Sequence, residues 1–296
     1  MKTNPPGYTP RFSAQHLDIA LRGLRHRIHQ WGDPNFPPIF LLHGWVDTGM
    51  SFQFLADHLA QRWQVIAPDW RGFGDSAWDP NGYWFPDYLA DLDALLTHFS
   101  PGKPARVVGH SMGGNAAGLY AGIRPERISH LVILDVAGLK NTPPEESPAR
   151  YGRWLDQLQN PTRFAPLKDH SATLALVAKL APRLDPARAE FLAQQWARPA
   201  ADGALQLPHD PRHKHVNPVL YRRAEARACW RRITAHTLLV LAQQGQIYPH
   251  WEPELRADVT ACIPHLRTEV LDCGHMVHLE KAEELSVLLD TFLTVK

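Results

Sequence analysis

Short apolar runs alternate along the chain with amphipathic stretches of helical length, a pattern that predicts a mostly parallel β-sheet covered by helices. "IFLLHG" (39–44) reads as a buried strand ending in glycine. "SFQFLADHLAQ" (51–61) follows at helical spacing, with Ser51 as the expected N-cap. "WQVIAPD" (63–69) is the next strand, before the turn-rich "RGFGDSAWDPNG". In "FPDYLADLDALLTHF" (85–99) the positions Tyr88, Leu92, Leu95, Leu96 and Phe99 share one helical face. "ARVVGHS" has the short β-branched run of a central strand. "HLVILD" (130–135), "HTLLVLA" (236–242) and "RTEVLD" (267–272) predict three more strands, and "EELSVLLDTFL" (283–293) a closing amphipathic helix.

Between Asp135 and His236 the pattern changes: prolines recur, and helical pieces such as "ATLALVAKLA" (172–181) and "ARAEFLAQQWA" (187–197) stand between them. The expected organisation is a core of residues 1–137 and 233–296 with a helical insertion, 138–232, above the sheet. Inside the insertion, 211–232 holds seven Arg/Lys against one Glu. It reads as a solvated helix face in preference to a patch for an anionic partner.

Charge narrows the partners. The 31 Lys+Arg nearly cancel the 30 Asp+Glu, so no global field favours nucleic acid or a membrane surface. Cys229, Cys262 and Cys273 lack C-x-x-C spacing, which argues against a disulfide framework or a zinc site and for reduced, structural thiols. "MKTNPPGYTPRF" places prolines where a signal peptide needs an apolar run, and no apolar stretch reaches membrane-spanning length. The expectation is a soluble, cytoplasmic protein with a small-molecule substrate. No phosphate loop, dinucleotide fingerprint or H-E-x-x-H occurs, so neither metal nor nucleotide cofactor is expected.

The candidate chemistry centres on "VVGHSMGG" (107–114). A lone G-x-S-x-G match is weak, but here "ARVV" is a strand, "GHSMGG" a sharp turn and "GNAAGLYAGI" a helix rich in small residues. That strand–turn–helix context is what a nucleophile elbow needs. Gly109 and Gly113 leave room for a strained backbone at Ser111 and for close helix–strand approach, and the following helix turns its N-terminus towards the site. Taken with "LLHGWVDTGMSF" (41–52), "APDWRGFGDS" (67–76), "LVILD" (131–135) and "CGHMVHLE" (273–280), in that order, the chain resembles the α/β-hydrolase family over most of its length. Within it, "HGWVDTGMSF" and an altered loop described next look like the serine-hydrolase-like, carboxylesterase-type subgroup. The resemblance implies an α/β-hydrolase fold, a mostly parallel central sheet flanked by helices, with a helical cap inserted after the sixth strand.

A serine hydroxyl needs a base within hydrogen-bond reach. The resemblance puts that base at His275, after the last strand, with His278 as its rival. It puts the oxyanion hole at the backbone N–H groups of Met112 and Trp45, while His43 and His110 read as supporting residues. The third member departs from the pattern. Relatives carry their acid in a G-x-x-D loop after the strand read here as "LLVLA", whereas this chain has "AQQG" (242–245), so Gly245 stands where the acid would be. Asp135, at the end of the neighbouring strand, is the expected substitute, because carboxylates at either strand end could reach one imidazole. Glu252, Asp258, a water or no acid at all are the other options; Asp272 lies too close along the strand. Asp69, Arg71, Gly72, Gly74 and Ser76 are expected to build a tight loop beside the site.

These readings point to a serine hydrolase acting on a carboxylic ester through an acyl-enzyme. The same triad on a lactone, amide, thioester or C–C bond is the second reading, since fold does not choose the bond. A binding protein that lost its acid is the third. Trp154, Phe164, Phe191, Trp196 and Trp230 of the insertion suggest an apolar pocket, or a small core of the insertion's own.

Overall fold

The computed structural model describes residues 7–199, 205–245, 247–248 and 253–295. Its strands are β1 (Gln15–Leu21), β2 (Leu24–Trp31), β3 (Pro38–Leu42), β4 (Gln64–Pro68), β5 (Ala105–His110), β6 (Ile128–Leu134), a two-residue ribbon β7 (Arg198–Pro199) and β8 (Leu205–Gln206), then β9 (His236–Ala242) and β10 (Leu266–Leu271). Eight of them form one sheet in the order β1-β2-β4-β3-β5-β6-β9-β10. From β4 to β10 every neighbouring pair is parallel, while β1–β2 and β2–β4 are antiparallel. The six strands expected from the apolar runs are all present, and the β1–β2 hairpin is an addition to them. It turns through Arg22 and Gly23, both at positive φ (48° and 82°), as a two-residue hairpin loop requires.

The helices are α1 (Gln53–Leu59), α2 (Phe85–Phe99), α3 (Met112–Ile123), α4 (Ser147–Gln159), α5 (His170–Leu180), α6 (Pro186–Trp196), α7 (Arg223–Trp230), α8 (Pro253–Cys262), α9 (Val277–Glu280) and α10 (Ala282–Leu293). Because the central strands are buried on both sides, they need cover on both. Tyr88, Leu92 and Leu96 of α2 join Ala117, Tyr120, Trp230 and Val259 on one face. Leu55 and Leu59 of α1 join Leu285, Leu289 and Phe292 of α10 on the other. Ser51 is not the N-cap expected for α1. It lies in a one-turn 3-10 segment, Gly49–Phe52, with its hydroxyl 3.0 Å from the Asp47 carboxylate and 3.2 Å from His278 Nε2, and α1 starts two residues later.

Between β6 and α7 the chain leaves the sheet. Val177, Leu192 and Trp196 of α5 and α6 make a separate buried cluster that also takes in Phe54, Met276 and Leu279. α7 behaves differently, although it falls inside the span 138–232. It packs on α3 so closely that a Cβ at Gly122 would lie 1.9 Å from the Cys229 carbonyl oxygen. The basic stretch 211–232 is partly neutralised: Arg212 pairs with Asp210, and Arg223 and Arg227 pair with Asp258. Among the described residues no helix is long and apolar enough to cross a membrane.

Candidate active site

Ser111 sits between β5 and α3 with φ 51° and ψ −113°, a conformation that costs an L-residue of order 1–3 kcal/mol and persists only where its surroundings enforce it. They do. The Ser111 N–H donates to Leu134 O (3.1 Å) and Ser111 O accepts from Asn115 N–H (2.9 Å). Gly113 is required here, because a Cβ would meet the Leu42 carbonyl oxygen at 2.3 Å. Ser111 precedes α3 as its cap residue, yet its hydroxyl makes no capping hydrogen bond among the described residues.

Asp135 follows β6, also at positive φ (49°), fully buried. Its N–H donates to Val240 O (2.8 Å), and one carboxylate oxygen accepts from Ala242 N–H (3.1 Å). The other accepts from His275 Nδ1–H at 2.6 Å. This bond fixes the imidazole tautomer and leaves Nε2 as the basic nitrogen. The place that Gly245 leaves open is filled by this carboxylate: a Cβ at Gly245 would lie 2.2 Å from Asp135 Oδ2. Asp135 and His275 are thus brought together. Among the described residues no hydrogen bond joins Ser111 Oγ to His275 Nε2 in this conformation, a contact that in unliganded enzymes often tightens only with substrate.

The other candidates for the acid are engaged elsewhere. Asp258 holds the two arginines, exposed Asp272 bonds Arg183 and Gln244, and Glu252 lies outside the described residues. His278 is fully buried, 3.4 Å from Asp47 and distinct from the imidazole that Asp135 orients. The Cys273 thiol is pushed up to about 12, mainly by burial, and stays protonated at neutral pH.

Two histidines outside the candidate triad position its parts. His110 Nε2–H donates to the backbone oxygen of His275 (2.9 Å), and the two rings pack 4.6 Å apart. Burial, then the neighbouring His278 and His275, hold His110 well below the usual range, so it is neutral. His43 Nδ1–H donates to Gly44 O (2.7 Å) while Nε2 accepts from Trp70 N–H (2.9 Å). The loop that carries the Trp45 amide is thereby tied to the Asp69–Ser76 loop. Burial tends to raise the Asp69 carboxyl, but His29 and the Asp75 N–H outweigh it and hold it below the usual carboxylate range. Ser76 donates to Asp69 O (2.6 Å), a structural role within the expected tight loop.

Asp47, His110 and His278 bring one donor atom each within 4.8 Å of one another, all buried. Asp47 and His278 engage each other and Ser51, and each ring's Nδ1 has no partner among the described residues. Hydrogen bonding accounts for most of this cluster, which underlies the His275 loop.

Of the five insertion aromatics singled out from the sequence, Trp154 lines a cavity beside Trp45 and Met112. Phe164 lies tilted against Trp45 (6.5 Å), Phe191 packs on Tyr8 and Phe54, and Trp196 and Trp230 are core.

Residues 37–282 match a family model described as alpha/beta hydrolase fold. The chain is 28% identical over 273 residues to a serine hydrolase-like protein of Danio rerio, covering 89% of this chain and 83% of that protein. It is 30% identical over 270 residues to a 3-hydroxybutyrate-oligomer hydrolase of Cupriavidus necator, covering 87% and 89%. Among solved structures, the thioesterase domain from the curacin biosynthetic pathway superposes with a TM-score of 0.82 at 23% identity, over 94% of this chain and 99% of that one.

Proposed function

This chain belongs to the alpha/beta hydrolase family, and from that premise we propose that it is a serine hydrolase cleaving a carboxylic ester of a small or medium apolar substrate through an acyl-enzyme. Ser111 Oγ attacks the ester carbonyl as His275 Nε2 takes its proton. Asp135 orients the imidazole and stabilises the imidazolium. The backbone N–H groups of Met112 and Trp45 hold the oxyanion. On collapse His275 returns the proton to the leaving alkoxide, and a water then attacks the acyl-serine by the same route in reverse. These side chains carry the chemistry without a cofactor.

The observation that carries this reading is the 2.6 Å bond between His275 Nδ1 and a buried carboxylate at the end of β6. It also weighs against a binding protein that has lost its acid, because Asp135 fills the space that Gly245 leaves. We assign residues 138–222 to a cap and α7 to the core on its packing against α3. The three free thiols support a reducing, cytoplasmic setting.

Steady-state hydrolysis of p-nitrophenyl acetate tests the assignment. Ser111→Ala should lower kcat by roughly 10⁴-fold or more and Asp135→Asn by about 10³- to 10⁴-fold. Undiminished turnover in folded Ser111→Ala would overturn it.

A further inference from the structure

A cavity of about 240 Å³ adjoins Trp45 and Met112, whose amides are assigned above to the oxyanion. One wall comes from the entry to α2, with Tyr83, Trp84 and Phe85; a second comes from Trp154 and Leu158 of α4. The Trp84 and Trp154 rings meet edge-to-face at 6.0 Å, so the two walls form an aromatic corner. Arg212, His213 and residues 215–218 line a further side. Among the described residues no carboxylate lines the cavity. The Arg212 guanidinium is already held by Asp210, and burial pushes His213 down to about 3 and His215 below its usual range, so both rings are uncharged at neutral pH.

Resting on the serine-hydrolase reading, we propose that this cavity is a subsite for an aromatic ring carried within a few bonds of the scissile carbonyl. Size is the first condition: at about 30 Å³ per water, the space holds on the order of eight waters, enough for a phenyl group and a short linker. Lining sets the second. Indole and phenol rings on adjoining walls offer edge-to-face partners that an alkyl chain of equal area cannot use. The absence of an unpaired charge leaves no group to reward an ionic substrate. One wall belongs to the core and one to the proposed cap, so the ring would sit at the seam between the two.

The test is kcat/KM for methyl phenylacetate and benzyl acetate against methyl hexanoate, with serine labelling by a fluorophosphonate run in parallel. The expected result is a preference of about tenfold or more for at least one aryl ester, and which of the two it is tells whether the ring lies on the acyl or the alcohol side. Trp154→Ala and Trp84→Ala should bring the aryl-to-alkyl ratio close to one, and Trp154→Leu, which keeps an apolar side chain on α4, should do so too. An aryl preference that is absent, or that survives all three substitutions in protein still labelled at Ser111, overturns the subsite while leaving the hydrolase reading intact. Failure of the folded wild type to label overturns both.

Discussion

Replacing Gly245 with alanine adds one carbon at the point where, on the proposed triad, the acid's position was exchanged. That carbon would lie 2.2 Å from Asp135 Oδ2, 2.7 Å from its Cγ and 2.6 Å from the Ala242 Cβ. Ordinary contact needs roughly 3.4 Å, so the carboxylate must retreat by about 1 Å, and its 2.6 Å bond to His275 cannot survive that shift. The backbone at Gly245 is not at positive φ, so the new side chain brings no strain of its own kind. A displacement of about 1 Å in a catalytic constellation costs about 10²-fold, or about 2.7 kcal/mol of transition-state stabilisation. Ester hydrolysis by Gly245→Ala, Asp135→Ala and the double variant forms a cycle. If Gly245→Ala acts through the carboxylate, it should lower kcat/KM in the wild-type background and change it little once Asp135 is gone. The contact with Ala242 persists in both backgrounds and affects folding, so the cycle is read where circular dichroism shows all four proteins folded. Wild-type activity in Gly245→Ala, or an equal loss in both backgrounds, would refute the exchange.

Three further outcomes follow from the packing. Gly122→Ala should destabilise by about 1–3 kcal/mol in urea unfolding, because its Cβ meets the Cys229 carbonyl at 1.9 Å, whereas Gly152→Ala on the open face of α4 should stabilise by up to about 1 kcal/mol. Asp91→Ala should cost about 2–3 kcal/mol, since it removes the two 2.6 Å bonds by which Asp91 grips the buried Arg71 guanidinium and leaves that group to Asp79 and Asp87; a loss below 1 kcal/mol would contradict this. Burial first pushes His213 down to about 3, against the opposing pull of Asp210, so the ring is neutral in the fold but protonates near 6.5 when unfolded. Its contribution is complete above about pH 6.5 and is lost as pH falls towards 3, by about 2 kcal/mol at pH 5. His213→Phe, placed between the Phe73 and Tyr83 rings, should flatten the fall in urea midpoint between pH 7 and pH 5.

The parts of the site that were legible are those in which local chain chemistry and chemical role coincide. A serine between a β-branched strand and a small-residue helix can only be a sharp turn, and an aspartate ending the adjacent strand can only lie near the same sheet edge. His275 came instead from the resemblance, which puts a base after the last strand, and its Nδ1 lies 2.6 Å from Asp135. Other features depend on long-range packing. Ser51 looked like a cap because its local context suits one; its actual partners, Asp47 and His278, come from a preceding loop and from a segment more than 200 residues away. The hairpin β1–β2 carries charged residues such as Asp18 on the edge strand and Arg25 and Arg27 on its neighbour, which blurs the apolar pattern, although Arg22–Gly23 is a turn signal in plain view. Tyr83 and Trp84 lie just outside the periodic stretch of α2, so no helical face marked them as a cavity wall. For α7, a basic composition suggested a solvated surface, while Ala226 and Trp230 on its other side join the core.

The most direct measurement is fluorophosphonate labelling of wild type, Ser111→Ala and Asp135→Asn, read by peptide mass spectrometry. A fast adduct on Ser111, absent from the alanine variant and at least 10²-fold slower in Asp135→Asn, is the expected result. No adduct on the folded wild-type protein would contradict the assignment of Ser111 as nucleophile.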